Sequence, residues 1–385
     1  MKSLLSKLLA TLVLSTQILP YTCAEELTIW QIAVSRHAKI VCSGVFISGR
    51  TPEDILNNDH GVPDPSTVDF AVDYDKKTVT VKLKDGFVTT TIYREECGCT
   101  NIYGIPETTV RDQPVHSIPK RSPLAETLPW PQGEGTNTIT AKINKRKLSK
   151  ALDYAFEEPF EDKVRGTRGI IVVHKGKIVV EKYAEGYNKN QPLIIWSMSK
   201  SIINTVLGTL VKQTGFDIYK PAPVPEWSDP EDPRHPITTD QLLRMSSGLK
   251  FEEEYEPGLI DVVIMLYGHP DTAAYTASLP LEAEPDSKWY YSSGTTNVIS
   301  RIIKNQLGSD FARYAAYPYK EVLHKIGMHR TIMEMDAAGT YIGSSFIYST
   351  PRDMARFGLF CIQDGVWNGE RILPVGWIKY STTPT

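Results

Sequence analysis

Apolar residues with a helical period mark the middle of the chain. They recur at intervals of three and four, as on the buried face of a helix, at Ile202, Ile203, Val206, Leu207, Leu210 and Val211. Residues 147–156 have the same spacing. Between these two segments, the β-prone runs 169–173 and 177–183 are joined at Lys175-Gly176, which predicts a hairpin. A helix followed by a hairpin indicates a sheet that packs on helices.

The N-terminal half has strand-like alternation instead. Residues 79–83 alternate apolar and polar side chains, and a second β-prone run, 87–93, follows an Asp-Gly turn, so another hairpin is predicted. Residues 104–136 then contain six prolines, which excludes a regular helix and predicts a linker. We place the domain boundary near residue 137. More helices are predicted after it, at residues 238–245, 295–306, 310–326 and 351–363.

The first 24 residues have the pattern of a secretory signal peptide. Two lysines lie near the start, residues 8–19 are mostly apolar, and Ala24 is the predicted cleavage point. The apolar run is too short to span a bilayer. Lipid modification of Cys23 is the alternative to cleavage. We expect a secreted or periplasmic protein.

Composition and charge limit the partners. The 385 residues are 41% apolar and 23% charged, enough material for a sizeable core. Forty-two basic and 45 acidic side chains give a net charge of -3 without a long run of one sign. This balance argues against nucleic acid or anionic lipid as a partner. We expect a small-molecule substrate, no nucleic-acid partner and no membrane span.

The cysteines are candidates for a disulfide. An exported chain meets an oxidising compartment, so we expect Cys42 to bridge to Cys97 or Cys99, and spacing does not choose between the two. The Cys-Gly-Cys sequence has no second cluster and no usual zinc spacing. We therefore predict no metal site.

A serine nucleophile needs a neighbouring base, and the Ser-x-x-Lys sequence at residues 197–200 supplies one. Residues three apart on a helix share a face, so Lys200 would lie beside the Ser197 hydroxyl, and burial would favour its neutral amine. The alternative is a capping serine followed by a solvated lysine. Two other copies, at residues 117–120 and 247–250, contain Pro or Gly and open no periodic helix.

Aromatic and hydroxyl side chains cluster at residues 289–294, just before a predicted helix. A tyrosine there could relay a proton, and Ser293 could hydrogen bond with a substrate or with Lys200. The alternative is a buried aromatic turn with a packing role only.

Three segments in this order resemble the serine hydrolases related to class C β-lactamases and penicillin-binding proteins, in particular their 6-aminohexanoate-dimer hydrolase branch. Residues 196–201 look like the family's nucleophile segment. Residues 242–249 are similar to the structural segment that follows it, and residues 291–293 match the Tyr-x-Ser element. The resemblance covers roughly residues 147–385.

The resemblance implies an α+β fold of the β-lactamase/transpeptidase type, with an antiparallel sheet, helices on both of its faces and an all-helical region. It implies Ser197 as nucleophile, Lys200 as general base and Tyr291 as proton relay. Ser293 and Tyr255 are candidate substrate contacts. Such a site cleaves an ester or an amide through an acyl-enzyme, with no metal and no cofactor.

The sequence also departs from the family. The late Lys-Thr-Gly or His-x-Gly element is not found, nor are the C-terminal strands that normally pair with the hairpin. We therefore expect a hydrolase domain at 137–385 that is incomplete at its C-terminal end, preceded by a small β-rich segment and linker at 25–136. We expect these 385 residues to be inactive alone.

Several other functions use or resemble the same groups. The chain has no Gly-x-Ser-x-Gly and no His-Glu-x-x-His sequence, so an α/β-hydrolase or a zinc protease is not indicated. His324 or His329 could still approach the site. A β-lactamase or a D-peptidase would use the same machinery, and a non-catalytic penicillin-binding-like module or pseudo-enzyme would retain it for ligand capture or packing.

Overall fold

The computed structural model describes residues 27–59, 68–139, 142–160, 164–255 and 258–385. The predicted signal peptide and Cys23 lie outside the described residues. Across the described ranges, no helix combines the length and the apolar character needed to span a bilayer.

The described residues form helices and short antiparallel sheets joined by loops. The helices are α1 (Ile29–Phe46), α2 (Pro52–Asn58), α3 (Glu107–Arg111), α4 (Lys145–Phe156), α5 (Ser199–Thr214), α6 (Thr239–Leu243), α7 (Asp261–Gly268), α8 (Thr272–Ser278), α9 (Ser293–Gln306), α10 (Phe311–Pro318), α11 (Pro351–Ile362) and α12 (Trp377–Ser381). The strands are β1 (Val68–Asp73), β2 (Thr78–Leu83), β3 (Val88–Arg94), β4 (Gly98–Ile102), β5 (Gly169–His174), β6 (Lys177–Tyr183), β7 (Leu193–Ile194), β8 (Ile332–Met333), β9 (Ile347–Ser349), β10 (Val366–Trp367) and β11 (Glu370–Arg371). The predicted α+β class is confirmed.

Both predicted hairpins are present. β1 to β4 form an antiparallel sheet in chain order, in which Val81 of β2 lies opposite Thr89 of β3. β5 pairs with β6, and the turn residues Lys175 and Gly176 have φ values of 51° and 72°. Positive φ at both positions gives the turn the twist that a two-residue hairpin requires. The third sheet has the order β7-β9-β8.

Helix α5 lies in the largest apolar core, as its period predicts. Its residues Ile202, Ile203, Val206, Leu207 and Leu210 are buried, and the helix packs against α9. It ends at Gly215, where a φ of 72° favours glycine. α4 also forms where it was predicted, and none of its residues is fully buried. An amphipathic period predicts the helix and does not determine what covers its apolar side.

Helix α1 was not predicted from the sequence. Thr28 Oγ1 accepts a hydrogen bond from the Gln31 N–H, and the Gln31 side chain accepts one from the Thr28 N–H, a capping box that starts the helix. α1 is buried around most of its circumference, including the polar residues Ser35, His37 and Lys39. A helix buried in this way has no single apolar stripe, so its sequence lacks the amphipathic period that reveals the others.

The N-terminal sheet and α1 share one apolar core with the small central sheet. Ile332 of β8 and Tyr348 of β9 lie in the same cluster as Val41 and Val81. The segment before residue 137 therefore packs directly on the strands that lead into the site described below.

A buried ion pair joins α1 to the segment after β8. Lys39 Nζ lies 2.7 Å from Glu334 Oε2, and the two side chains are 2% and 0% exposed. Glu334 Oε1 also accepts hydrogen bonds from Ser43 Oγ at 2.9 Å and from the Cys99 N–H at 2.6 Å. These partners compensate the cost of removing the carboxylate from water.

We predict that Lys39→Met destabilises the protein by about 3–5 kcal/mol at neutral pH, because Glu334 is left buried without its counter-charge. Burial raises the pKa of Glu334, and Lys39 opposes that rise. A carboxyl group whose pKa is higher in the folded than in the unfolded chain loses stability as pH rises, so the defect should be smaller in acid and larger at neutral pH. Urea unfolding of the wild-type protein and of Lys39→Met, from acid to neutral pH, measures this difference in stability.

The double variant Lys39→Met with Glu334→Gln is the matched control. It removes both charges and keeps an amide oxygen for Ser43 and Cys99, so it should recover much of the lost stability and show no added pH dependence. Wild-type stability of Lys39→Met at neutral pH would contradict the prediction.

Candidate active site

Ser197 lies at a sharp turn between β7 and α5. β7 pairs with β9, and the Ile195 N–H extends this pairing by donating to the Ile347 carbonyl at 3.0 Å. Trp196 then has a φ of 44°, which is unfavourable for a large side chain, and a 3₁₀ turn, Trp196–Met198, leads into the helix. The turn leaves Ser197 exposed at the N-terminal end of α5, where backbone N–H groups favour developing negative charge.

Lys200, one helical turn further on, contacts three oxygen atoms. Its Nζ lies 3.1 Å from Ser197 Oγ, 3.0 Å from Ser293 Oγ and 3.0 Å from the carbonyl oxygen of Ser344. The side chain is half-buried. The structure thus brings together the predicted residues Ser197, Lys200 and Ser293.

Helix α9 holds two of these contacts in place. Ser292 caps the helix by accepting a hydrogen bond from the Thr295 N–H at 3.3 Å, so Ser293 is its first residue. Asn297, one turn later, accepts a hydrogen bond from the Ser344 N–H at 3.2 Å. The N-terminal ends of α5 and α9 therefore meet at Lys200.

Glu253 is a site residue that the sequence did not reveal. Its side chain is buried, 8% exposed, and its carboxylate accepts hydrogen bonds from the Ser293 hydroxyl at 2.6 Å and from the Ser293 N–H at 2.5 Å. Burial raises the pKa of Glu253, while the Ser293 bonds and the charge of Lys200 lower it. Because Glu252 and Glu254 flank it and are exposed, nothing in this acidic run marks the middle residue.

Tyr291 lies beside Lys200 through its ring. Lys200 Nζ is 4.8 Å from the ring centre, a contact that favours a cation over the aromatic face. No hydrogen bond joins Lys200 to the Tyr291 hydroxyl. The proton-relay role of Tyr291 therefore stays a prediction.

Tyr255 lies at the edge of the site, beside Glu253. It is 77% exposed and borders a cavity of about 230 Å³ next to the nucleophile turn. The other side chains that line this cavity are Arg36, Trp196, Val262, Val263, Leu266 and Tyr267. Arg36 belongs to α1, so the N-terminal segment contributes to the wall of this cavity.

The remaining candidates lie elsewhere. His324 and His329 stack on each other, with ring centres 4.5 Å apart, and the structure gives neither a contact with Ser197 or Lys200. Cys42 of α1 forms a disulfide with Cys99 of β4.

Cys97 is a free, buried thiol, and burial raises its pKa. Among the described residues, no group of three or more His, Cys, Asp or Glu side chains could hold a metal ion.

Two known proteins are similar to part of this chain. The 6-aminohexanoate-dimer hydrolase of Paenarthrobacter ureafaciens is 23% identical over 229 residues, which are 55% of this chain and 56% of that protein. A solved structure from Bacillus anthracis, described as a 6-aminohexanoate-dimer hydrolase, is 24% identical with a TM-score of 0.50, over 60% of this chain and 61% of that chain. The match to the solved structure shows the fold alone.

The chain spans less than two thirds of either relative's length. The sequence model of the beta-lactamase family matches residues 153–384, more than half of the chain, and this stretch contains Ser197, Lys200 and Ser293. The chain therefore belongs to the beta-lactamase family.

Proposed function

We propose that the chain is a serine hydrolase that cleaves an ester or a linear amide through an acyl-enzyme on Ser197. The observation that carries this proposal is the position of Lys200 Nζ, 3.1 Å from Ser197 Oγ and held from the other side by Ser293 and the Ser344 carbonyl. A weak nucleophile becomes reactive when a base at hydrogen-bond distance takes its proton.

The proposed acylation moves one proton through Lys200. Ser197 Oγ forms a bond to the substrate carbonyl carbon while its hydrogen passes to Lys200 Nζ. The bond from that carbon to the leaving oxygen or nitrogen then breaks, and the leaving atom takes a proton from the Lys200 ammonium, with Tyr291 as relay. The N-terminal end of α5 favours the negative charge that develops on the carbonyl oxygen.

The proposed deacylation runs the same proton path with water. A water molecule gives a proton to Lys200, and its oxygen bonds to the acyl carbon. The bond to Ser197 Oγ then breaks, and Ser197 recovers a proton from Lys200. The acid product leaves, and the site returns to its starting protonation state.

The substrate class rests on the cavity beside Trp196 and on the relatives. The cavity has mainly apolar and aromatic walls with Arg36 at one side, which suits a small organic substrate. The Paenarthrobacter relative is named as a 6-aminohexanoate-dimer hydrolase. Both favour an ester or a linear amide over a nucleic acid or a protein surface.

A substrate panel tests this proposal. We expect the full-length protein to turn over p-nitrophenyl esters and a linear amide of two short amino acids, and to turn over a β-lactam or a D-alanyl-D-alanine peptide more slowly. Turnover fastest with the β-lactam or the D-peptide would favour those activities of the same fold instead. A folded full-length protein without turnover of any of them would contradict the proposal.

We also propose that the chain is exported and cleaved after Ala24. The sequence pattern of residues 1–24 supports this, and so does the disulfide between Cys42 and Cys99, because disulfides persist in oxidising compartments. Mass spectrometry of the secreted protein should give an N-terminus at Glu25. An intact Met1 terminus on protein retained inside the cell would contradict it.

A further inference from the structure

The Ser293 hydroxyl group has one hydrogen atom and two polar neighbours. Its Oγ lies 2.6 Å from Glu253 Oε1 and 3.0 Å from Lys200 Nζ. An ionised carboxylate can only accept hydrogen bonds. The hydroxyl hydrogen therefore points to Glu253, and the oxygen offers a lone pair to Lys200.

Lys200 thus has two neighbours that can only accept. One is Ser293 Oγ, whose hydrogen is donated to Glu253, and the other is the Ser344 carbonyl oxygen at 3.0 Å. A neutral amine has two N–H bonds and one lone pair in a tetrahedral arrangement. When both hydrogens point to these acceptors, the lone pair is left facing Ser197 Oγ at 3.1 Å. This is the orientation in which Lys200 can take the serine proton.

We infer that Glu253 is a positioning residue, which fixes the hydrogen-bond direction of Ser293 and thereby aims the Lys200 lone pair at Ser197. Glu253 acts through Ser293 and is buried behind it. The inference rests on the proposed function, because it concerns the base that activates Ser197.

The arrangement needs Glu253 in its ionised form. A protonated carboxyl could donate to Ser293 Oγ, and the hydroxyl hydrogen would then turn toward the lone pair of Lys200. Besides Ser293, the groups facing Glu253 are Lys200 on α5, Tyr255 on its own segment and the Tyr290 hydroxyl, which accepts the Glu253 N–H at 3.2 Å. Burial raises the pKa of this carboxyl, so reactivity should fall in acid as Glu253 gains its proton.

Glu253→Gln tests the inference directly. The amide can still accept the Ser293 N–H, but its NH₂ group donates to Ser293 Oγ and reverses the hydroxyl. We expect the rate constant for Ser197 acylation by a p-nitrophenyl ester to fall about 10- to 100-fold, with little change in KM. The decrease in the acylation rate at acid pH that arises from protonation of Glu253 should be absent from the pH profile of Glu253→Gln. Glu254→Gln is the matched control, since it changes the same chemical group at an exposed neighbouring position and should react as the wild type does.

Ser293→Ala completes a double-mutant cycle. Ser293→Ala should lower the acylation rate constant by a similar factor. Adding Glu253→Gln to Ser293→Ala should then change this rate by no more than about twofold, because both substitutions act through one hydrogen bond. Losses that multiply, or a wild-type rate for Glu253→Gln, would overturn the inference while leaving the proposed function intact. Should Glu253→Gln fail to fold by circular dichroism, a wild-type rate for Ser293→Ala would overturn the inference. A folded full-length wild-type protein that forms no Ser197 adduct overturns both proposals.

Discussion

Ser197→Ala is expected to reduce ester hydrolysis by about 10³-fold or more and to abolish formation of an acyl-enzyme. The substitution removes the only atom that bonds to the acyl group in the proposed reaction and leaves the fold unchanged, because the side chain is exposed at the start of α5. Release of p-nitrophenol before the steady state, with the ester in excess over the enzyme, measures both effects, since the acylation burst and the slower turnover appear in one trace.

Ser201→Ala is the matched control for this change. It removes an exposed hydroxyl from the same helix, one turn after the nucleophile, and should leave the burst intact. A full burst from Ser197→Ala would assign the nucleophile to another residue and would contradict the proposed mechanism.

Lys200→Ala and Lys200→Arg should both lower the acylation rate by about 10²- to 10⁴-fold, the usual contribution of a positioned base. Arginine retains the positive charge but remains protonated in proteins, so it cannot accept the serine proton. Equal losses in the two variants would therefore identify Lys200 as a base rather than as a fixed cation. The acylation rate of each Lys200 variant, measured across pH with the same ester, distinguishes a base from a fixed cation.

Lys212→Ala offers a comparison on the same helix. Lys212 lies in the last turn of α5, away from Ser197, and its removal should leave acylation unchanged. An Arg variant at position 200 that reacts at the wild-type rate would show that the charge alone suffices and would exclude the base mechanism.

The sequence predicts those elements whose pattern is set locally. The helical period of α5, the turn at Lys175-Gly176 and the Ser-x-x-Lys spacing depend on residues within a few positions of one another. Each is found in the structure, including the contact between Ser197 and Lys200. The resemblance added Tyr291 and Tyr255, whose roles stay predictions.

The features that the sequence did not reveal depend on distant packing. α1 has no amphipathic stripe because it is buried on most sides, and Lys39 in its middle looks like a solvated charge until Glu334, 295 positions later, is placed beside it. Glu253 likewise has no local feature that separates it from its two acidic neighbours. Only the fold places it against Ser293.

The disulfide pairing also depends on packing that the local sequence does not determine. Cys97 and Cys99 are two positions apart, and spacing left both as partners for Cys42. In the structure Gly98 lies between them with a φ of 76°, Cys97 lies in the core around α5, and Cys99 lies in the core around α1. The pairing therefore follows from which core each cysteine enters.

Intact-mass spectrometry after reaction with a fluorophosphonate tests whether Ser197 is an activated nucleophile. We predict one adduct on the full-length wild-type protein, mapped by peptide analysis to Ser197, and none on Ser197→Ala or Lys200→Ala. A folded full-length protein that gains no adduct would contradict this prediction and would favour a non-catalytic module. An adduct at a residue other than Ser197 would also contradict it.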